Sequence, residues 1–171
     1  MKERTGIVTM KGNPVILLGD EIKAGQDAPD VVLTDNDLKP FKLSSFKGKV
    51  TVLSAVSSLD TSVCDTETRR FNKEATALGP DVAIATISMD LPFAQKRWCG
   101  AAGIQNVITL SDYRDAAFGM AYGVLIKDLR LLARVIFVVD KDGDVQYVQY
   151  VREIGEEPDY NEVIATVKKL L

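Results

Sequence analysis

The 171-residue chain contains no histidine. Catalysis by a Ser-His-Asp or Cys-His arrangement is therefore excluded, and so are metal sites built from imidazole. The chain has only two cysteines, which are too few for a four-cysteine zinc site, although metal binding by carboxylates stays open. Any nucleophile must be activated by something other than histidine, and we expect no bound cofactor.

Long apolar runs and an excess of positive charge are also missing. No run approaches the roughly 18 apolar residues of a membrane-spanning helix, and the polar segment Met1–Gly6 lacks the apolar stretch of a signal peptide. The net charge of −3 argues against nucleic acid as a partner. We therefore expect a cytoplasmic protein that binds neither membrane nor nucleic acid. Permanent disulfides are rare in that compartment, so the cysteines are either inert buried thiols or redox-active ones.

The composition, with 46% hydrophobic and 26% charged residues, is that of an ordinary globular protein, and we expect one domain over residues 1–171. The predicted strands are Thr5–Met10, Val15–Leu18, Asp30–Thr34, Phe41–Leu43, Val50–Val56, Val82–Ser88, Val107–Leu110, Arg134–Asp140 and Val145–Val151. The predicted helices are Asp65–Leu78, Pro92–Ala101, Asp115–Tyr122 and Tyr160–Leu171. Turn signals at Lys11–Pro14 and Lys141–Asp144 add a hairpin at each end of the chain. This alternation predicts an α/β fold, a sheet flanked by helices.

Cys64 lies between the predicted central strand and the long helix that follows it. The carboxyl end of a parallel strand is where α/β folds place their ligands. Thr61 or Ser62 can serve as the N-cap, which puts Cys64 in the first turn of the helix. Exposed backbone N–H groups and the helix dipole favour a thiolate there. On this evidence alone Cys64 is either a reactive thiol or a small buried hydrophobic residue.

Close matches to one known family occur at Leu59–Asn72, Ser88–Cys99 and Leu131–Arg134. They resemble, in that order, the active-site segment, the resolving-cysteine helix and the arginine motif of the thiol peroxidase branch of the atypical two-cysteine peroxiredoxins. The opening hairpin at Lys11–Pro14 also fits this branch. The similarity covers nearly the whole chain, so it implies the thioredoxin-like peroxiredoxin fold, with a central mixed sheet flanked by helices.

The resemblance implies roles for four residues. The Cys64 thiolate would attack the hydroperoxide, the Thr61 hydroxyl would hydrogen-bond the thiolate and the peroxide oxygen, and Arg134 would stabilise the negative charge. Cys99 would resolve the resulting sulfenic acid as an intrasubunit disulfide, after local rearrangement of both helix ends, and thioredoxin or a similar dithiol would reduce it. The resemblance further implies hydrogen peroxide and organic hydroperoxides as substrates, and a homodimer.

Two features depart from the family pattern. Ser57 stands where the family has a proline that shields the thiolate, and it brings a hydroxyl and a backbone N–H that need partners. We expect a wetter, less rigid pocket and a slower reaction by the same mechanism. The connection from Tyr122 to Arg134 is also shorter than the family's, which bears on the rim near the expected subunit contact.

Two other functions remain open at this stage. A thioredoxin-like disulfide oxidoreductase normally needs Cys-x-x-Cys, whereas Cys64 is followed by Asp65-Thr66-Glu67. A non-catalytic binding domain would hold both cysteines as core residues. Loss of two thiols on peroxide treatment would point to the peroxidase, and insulin reduction would point to the oxidoreductase.

Overall fold

Strands and helices alternate from β7 to α3 in the computed structural model, which describes all residues from Met1 to Leu171. The strands are β1 (Glu3–Arg4), β2 (Thr9–Met10), β3 (Asn13–Pro14), β4 (Leu17–Leu18), β5 (Val32–Thr34), β6 (Pro40–Lys42), β7 (Val50–Ala55), β8 (Val82–Ser88), β9 (Ile108–Ser111), β10 (Leu125–Ile126), β11 (Val135–Val139) and β12 (Val145–Tyr150). The helices are α1 (Ser62–Leu78), α2 (Pro92–Ala102), α3 (Ala117–Ala121) and α4 (Tyr160–Leu170), and Leu43–Phe46 forms a 3₁₀ turn.

Seven of the strands form one mixed sheet in the order β12-β11-β7-β8-β9-β5-β6. The three central strands, β7, β8 and β9, are parallel, because α1 and α2 provide the crossovers between them. The outer strands run antiparallel to their neighbours, with β11 beside β7 and β5 beside β9. The prediction of a mixed α/β sheet flanked by helices is confirmed.

The central strand β7 is buried at each of its six residues. Its side chains alternate between the two faces of the sheet. Val50 and Val52 pack with Phe71 of α1 and Val163 of α4. The opposite face carries the larger cluster, in which Leu53 and Ala55 join Leu110, Phe118, Tyr122 and Phe137. Burial on both faces explains why four of the six residues of β7 are apolar, and Thr51 and Ser54 are buried with them.

The N-terminal hairpin is present, but its strands are shorter than predicted. β2 pairs with β3 across Lys11 and Gly12, which have φ angles of 50° and 79°. Two consecutive positive φ values are typical of a type I′ hairpin turn, so Asn13 and Pro14 belong to the returning strand and not to the turn. Gly6, with φ of 74°, interrupts the predicted strand Thr5–Met10.

The helices agree with their predicted positions within a few residues. α1 begins at Ser62, three residues earlier than predicted, and ends before Gly79, whose φ of 90° breaks the helix. α2 begins at Pro92, where the missing N–H costs nothing. The shortest helix, α3, covers only part of the predicted Asp115–Tyr122. None of the helices has both the length and the apolar character needed to cross a membrane.

Candidate active site

The pairing of β7 with β11 brings two predicted site residues together. Ala55 is opposite Val135 in this pair, so the loop that follows β7 lies beside Arg134. Cys64 is the third residue of α1, and its side chain is fully buried. Nη2 of Arg134 donates to Sγ of Cys64 over 3.2 Å. The sulfur therefore faces both a guanidinium and the first turn of a helix, two groups that stabilise negative charge.

The guanidinium of Arg134 is held by three different groups. Nη1 donates to Glu67, Nε donates to the carbonyl oxygen of Ile154 at 3.0 Å, and Nη2 is the donor to Cys64. The side chain is 1% exposed. Burial lowers the pKa of Arg134, but Glu67 and Cys64 together raise it by more, so that its pKa lies above the ordinary value. Arg134 is therefore a fixed positive charge with a single orientation.

Glu67 also belongs to this site, although it is not among the four residues to which the resemblance assigns a role. Its side chain is fully buried, and it accepts hydrogen bonds from Arg134 and from the Ser54 hydroxyl of β7. Burial raises the pKa of Glu67, because desolvation outweighs the opposing effects of Arg134 and Ser54. The only sequence signal for Glu67 was its spacing, one helical turn after Cys64 and one before Phe71 on the buried face.

Thr61 occupies the N-cap position of α1, as predicted, but its side chain caps nothing. Its backbone is extended, and no hydrogen bond runs from its hydroxyl to the helix. The hydroxyl donates to the carbonyl oxygen of Ser58 at 2.9 Å and not to Cys64. The oxygen of this exposed hydroxyl has lone pairs left to accept a further hydrogen bond.

Cys99 lies in the last turn of α2 and is half-buried. Its sulfur is 3.4 Å from the Thr109 hydroxyl of β9, and both cysteines of the chain are free thiols. The structure therefore does not join Cys99 to Cys64. Their neighbours are joined instead, because Trp98 donates a hydrogen bond to Asp65.

Ser57, at the position of the family proline, has a partner for its hydroxyl. The hydroxyl donates to the carbonyl oxygen of Leu132 at 2.9 Å, and the residue is buried. The cysteine loop is thereby tied to the segment that carries Arg134. This bond opposes the loosening expected when serine replaces a proline ring.

The connection between Tyr122 and Arg134 folds back on itself as a tight turn. Backbone N–H groups of Arg130 and Ala133 donate to Ile126 and Val124, each over 2.9 Å. β10 lies in this connection and was not predicted from the sequence. It pairs with β4 of the N-terminal segment. The short connection thus sets the position of Arg134 at the start of β11.

A cavity of about 330 Å³ lies away from this site. It is lined by Thr51 and Leu53 of β7, by Tyr122, and by aspartates of the β11–β12 turn, at the opposite end of β7 from Cys64. Nowhere do three or more cysteine, aspartate or glutamate side chains lie in an arrangement that could hold a metal ion.

Comparison with known proteins agrees with this geometry. The Redoxin family model matches residues 23–164. A thiol peroxidase of Bacillus subtilis is 54% identical over 164 residues, which cover 96% of this chain and 98% of the relative. A thiol peroxidase of Oceanobacillus iheyensis is 56% identical over 162 residues, which cover 95% of this chain and 98% of the relative.

A solved structure gives the same result for the fold. The crystal structure of a peroxiredoxin-like protein from Aquifex aeolicus superposes with a TM-score of 0.91 at 47% sequence identity, and the match covers 98% of each chain. The predicted peroxiredoxin fold is confirmed.

Proposed function

We propose that Cys64 carries the attacking thiol of this chain, which belongs to the redoxin family and, within it, to the thiol peroxidases. Thiol peroxidases reduce peroxides with a cysteine thiol. The observation that carries this assignment is the 3.2 Å contact between Arg134 and the Cys64 sulfur. A buried thiol in the hydrophobic core would not need a guanidinium that is itself buried and paired, because burying a charge is costly.

In the first step, the Cys64 thiolate attacks one oxygen of the hydroperoxide. A sulfur–oxygen bond forms, the oxygen–oxygen bond breaks, and the leaving alkoxide or hydroxide takes a proton to become alcohol or water. Negative charge moves from sulfur to the departing oxygen during this step. The Arg134 guanidinium is already oriented and keeps its positive charge. It can therefore stabilise the negative charge on the departing oxygen without reorganisation. We assign the binding of the peroxide to the Thr61 hydroxyl, and the exposure of Thr61 supports this assignment.

In the second step, the Cys99 thiol attacks the sulfenic acid of Cys64. A disulfide forms between the two sulfurs and water leaves. As free thiols, the Cys64 sulfur contacts Arg134 and the Cys99 sulfur contacts Thr109. The first turn of α1 and the last turn of α2 must therefore rearrange before the two sulfurs can bond. A dithiol protein such as thioredoxin then reduces the disulfide by exchange.

Two further properties belong to this proposal. We place the reaction in the cytoplasm, where the free thiols of Cys64 and Cys99 would persist between turnovers.

We also propose a homodimer, because Leu91 and Phe93 at the start of α2 are 52% and 67% exposed and offer an apolar surface to a second copy. Light scattering on a size-exclusion column tests the second point.

Mass spectrometry of the peroxide-treated protein tests the mechanism. Digestion without reduction is expected to yield one peptide pair joined through Cys64 and Cys99. Cys64→Ser is expected to leave Cys99 as a free thiol, and Cys99→Ser is expected to leave a sulfenic acid on Cys64. Persistence of both thiols in the parent protein would rule out the assignment, and insulin reduction by the untreated protein would favour an oxidoreductase instead.

A further inference from the structure

The loop between β7 and α1 is anchored to the sheet by one carboxylate. Asp90 follows β8, and both of its oxygens accept hydrogen bonds from this loop. Oδ1 accepts from the Ser58 hydroxyl at 2.7 Å, and Oδ2 accepts from the Leu59 backbone N–H at 2.8 Å. Oδ2 also accepts from the Ser88 hydroxyl at 2.7 Å, at the end of β8. The Ser111 hydroxyl of β9 donates to the Asp90 carbonyl oxygen.

From Ser58 the hydrogen bonds continue to Thr61. The Ser58 hydroxyl oxygen accepts from the Asp60 N–H at 3.1 Å. The Ser58 carbonyl oxygen accepts both from the Thr61 N–H at 3.2 Å and from the Thr61 hydroxyl at 2.9 Å. The direction of the Thr61 hydroxyl is therefore set through Ser58, and Ser58 is set by Asp90. The Asp65 N–H of α1 donates to the Thr61 carbonyl oxygen at 3.0 Å, but the Thr61 hydroxyl itself makes no bond to the helix.

We propose that Asp90 is a positioning residue for the peroxide reaction: acting through Ser58, it fixes the Thr61 hydroxyl at the rim of the Cys64 site. This inference rests on the proposed function, in which Thr61 binds the peroxide. Asp90 makes no hydrogen bond to Cys64 or Arg134, so its effect reaches the reaction only through the loop. Without the carboxylate, the Ser58 hydroxyl and the N–H of the buried Leu59 would lose their acceptor.

The chain contains a matched control for Asp90 one strand further along. Asp112 follows β9, just as Asp90 follows β8, and its carboxylate also anchors a neighbouring segment. It accepts from the backbone N–H groups of Phe118 at 3.0 Å and Gly119 at 2.8 Å, which belong to α3. The Asp112 carboxylate therefore anchors a segment as the Asp90 carboxylate does, but it makes no hydrogen bond to the loop between β7 and α1.

Two reactions of Cys64 separate positioning from general structural support. Reaction with hydrogen peroxide needs an oriented oxygen, whereas alkylation by iodoacetamide needs only an accessible thiolate. Both rate constants are measured on the full chain, by mass spectrometry of the Cys64 peptide after quenching. We compare the parent protein with Asp90→Asn, Ser58→Ala and Asp112→Asn.

Asp90→Asn is expected to lower the peroxide rate constant by about 10- to 100-fold, because small misplacements of a binding group have effects of this size. The alkylation rate is expected to change much less. Ser58→Ala, which keeps the Asp90 carboxylate, is also expected to lower the ratio of the peroxide rate constant to the alkylation rate constant. Asp112→Asn is expected to leave this ratio unchanged.

An equal loss of both rates, or no loss of either, would overturn the role of Asp90. If Asp90→Asn does not fold, an unchanged ratio in Ser58→Ala overturns it as well. A parent protein whose Cys64 does not react with peroxide contradicts the proposed function itself, which distinguishes that failure from the failure of Asp90.

Discussion

The indole Nε1 of Trp98 donates a hydrogen bond to Oδ1 of Asp65 at 2.8 Å, so the residue before Cys99 is bonded to the residue after Cys64. Arg69 donates to the other Asp65 oxygen at 2.8 Å, and its guanidinium lies 5.8 Å from the centre of the Trp98 ring. This cluster joins the first turn of α1 to the end of α2 while both thiols are free. It opposes the rearrangement that a disulfide requires.

Trp98→Phe is therefore expected to accelerate disulfide formation after peroxide attack. The substitution keeps an aromatic ring but removes the donor to Asp65, and a hydrogen bond to a charged group contributes about 1.5–3 kcal/mol. We expect a rate increase of at least about tenfold, measured by quenched flow and non-reducing mass spectrometry. Tyr147→Phe is the control, because it removes an aromatic donor to Glu162 far from both cysteines. A slower or unchanged step in Trp98→Phe would contradict this account.

Arg134→Lys is expected to lower the rate of peroxide attack by about 100-fold. Lysine keeps the positive charge but cannot reach Glu67, Ile154 and Cys64 in the fixed fork of the guanidinium. Loss of one oriented donor at a developing charge typically costs about 100- to 1,000-fold. Stopped-flow measurement under single-turnover conditions checks this. A lysine variant with the parent rate would show that charge alone is sufficient.

Glu67→Ala is expected to lower the free energy of unfolding by about 3–5 kcal/mol, because it leaves the Arg134 charge buried without its partner. Glu67→Gln is expected to lose less, since the amide oxygen still accepts from Arg134. Urea denaturation measures both. Glu74→Ala, which breaks the surface pair with Arg70 on the same helix, is expected to change stability by less than about 1 kcal/mol. Similar losses at Glu67 and Glu74 would contradict the buried pair.

The raised pKa of Asp112 predicts that its contribution to the stability of the folded protein falls as the pH rises. Burial raises the pKa of Asp112 above 3.8, outweighing the hydrogen bonds from Gly119 and Phe118. The folded protein therefore binds this proton more tightly than the unfolded chain. The resulting stabilisation is complete below pH 3.8 and is lost as the pH rises through the folded pKa. The stability of the parent minus that of Asp112→Asn should fall over this range, and a difference that rises with pH would reverse the assigned direction.

Ser57→Pro is expected to increase the rate of peroxide reduction. Proline removes a backbone N–H for which the structure shows no acceptor, and its ring restricts the loop before Cys64. It also removes the hydroxyl bond to Leu132, and Ser57→Ala measures that loss separately. Both variants are assayed with hydrogen peroxide beside the parent. An unchanged or slower reaction in Ser57→Pro would show that the serine does not limit the rate.

The sequence predicts most of this fold because its signals are local. Val50–Ala55 is rich in apolar and β-branched residues, and Pro92 and Gly79 mark helix ends by their own conformational limits. The strands that were missed or misplaced, such as Glu3–Arg4 and Leu125–Ile126, are two residues long. Such pairs carry no periodicity of their own, and only their partner in the folded sheet makes them strands.

The residues of the candidate site, too, could be predicted only where the signal is local in the sequence. Cys64 could be recognised because its neighbours in the sequence define the start of a helix. Glu67 could not, because its burial depends on Arg134, which is 67 positions away, and on Ser54 in the adjoining strand. Asp90 was equally hidden, since its bonds to Ser58 and Leu59 cross between two loops. A charged residue on a helix is normally exposed, and only tertiary structure reveals the exception.

The distance along the chain between Cys64 and Arg134 also has a consequence for synthesis. The two residues are 70 positions apart, and they meet only when β11 has paired with β7. Until the chain has been synthesised as far as Arg134, Cys64 lacks the guanidinium that the folded protein places 3.2 Å from its sulfur. The contact on which our assignment of the nucleophile rests therefore depends on the pairing of β11 with β7 and cannot form in a shorter chain.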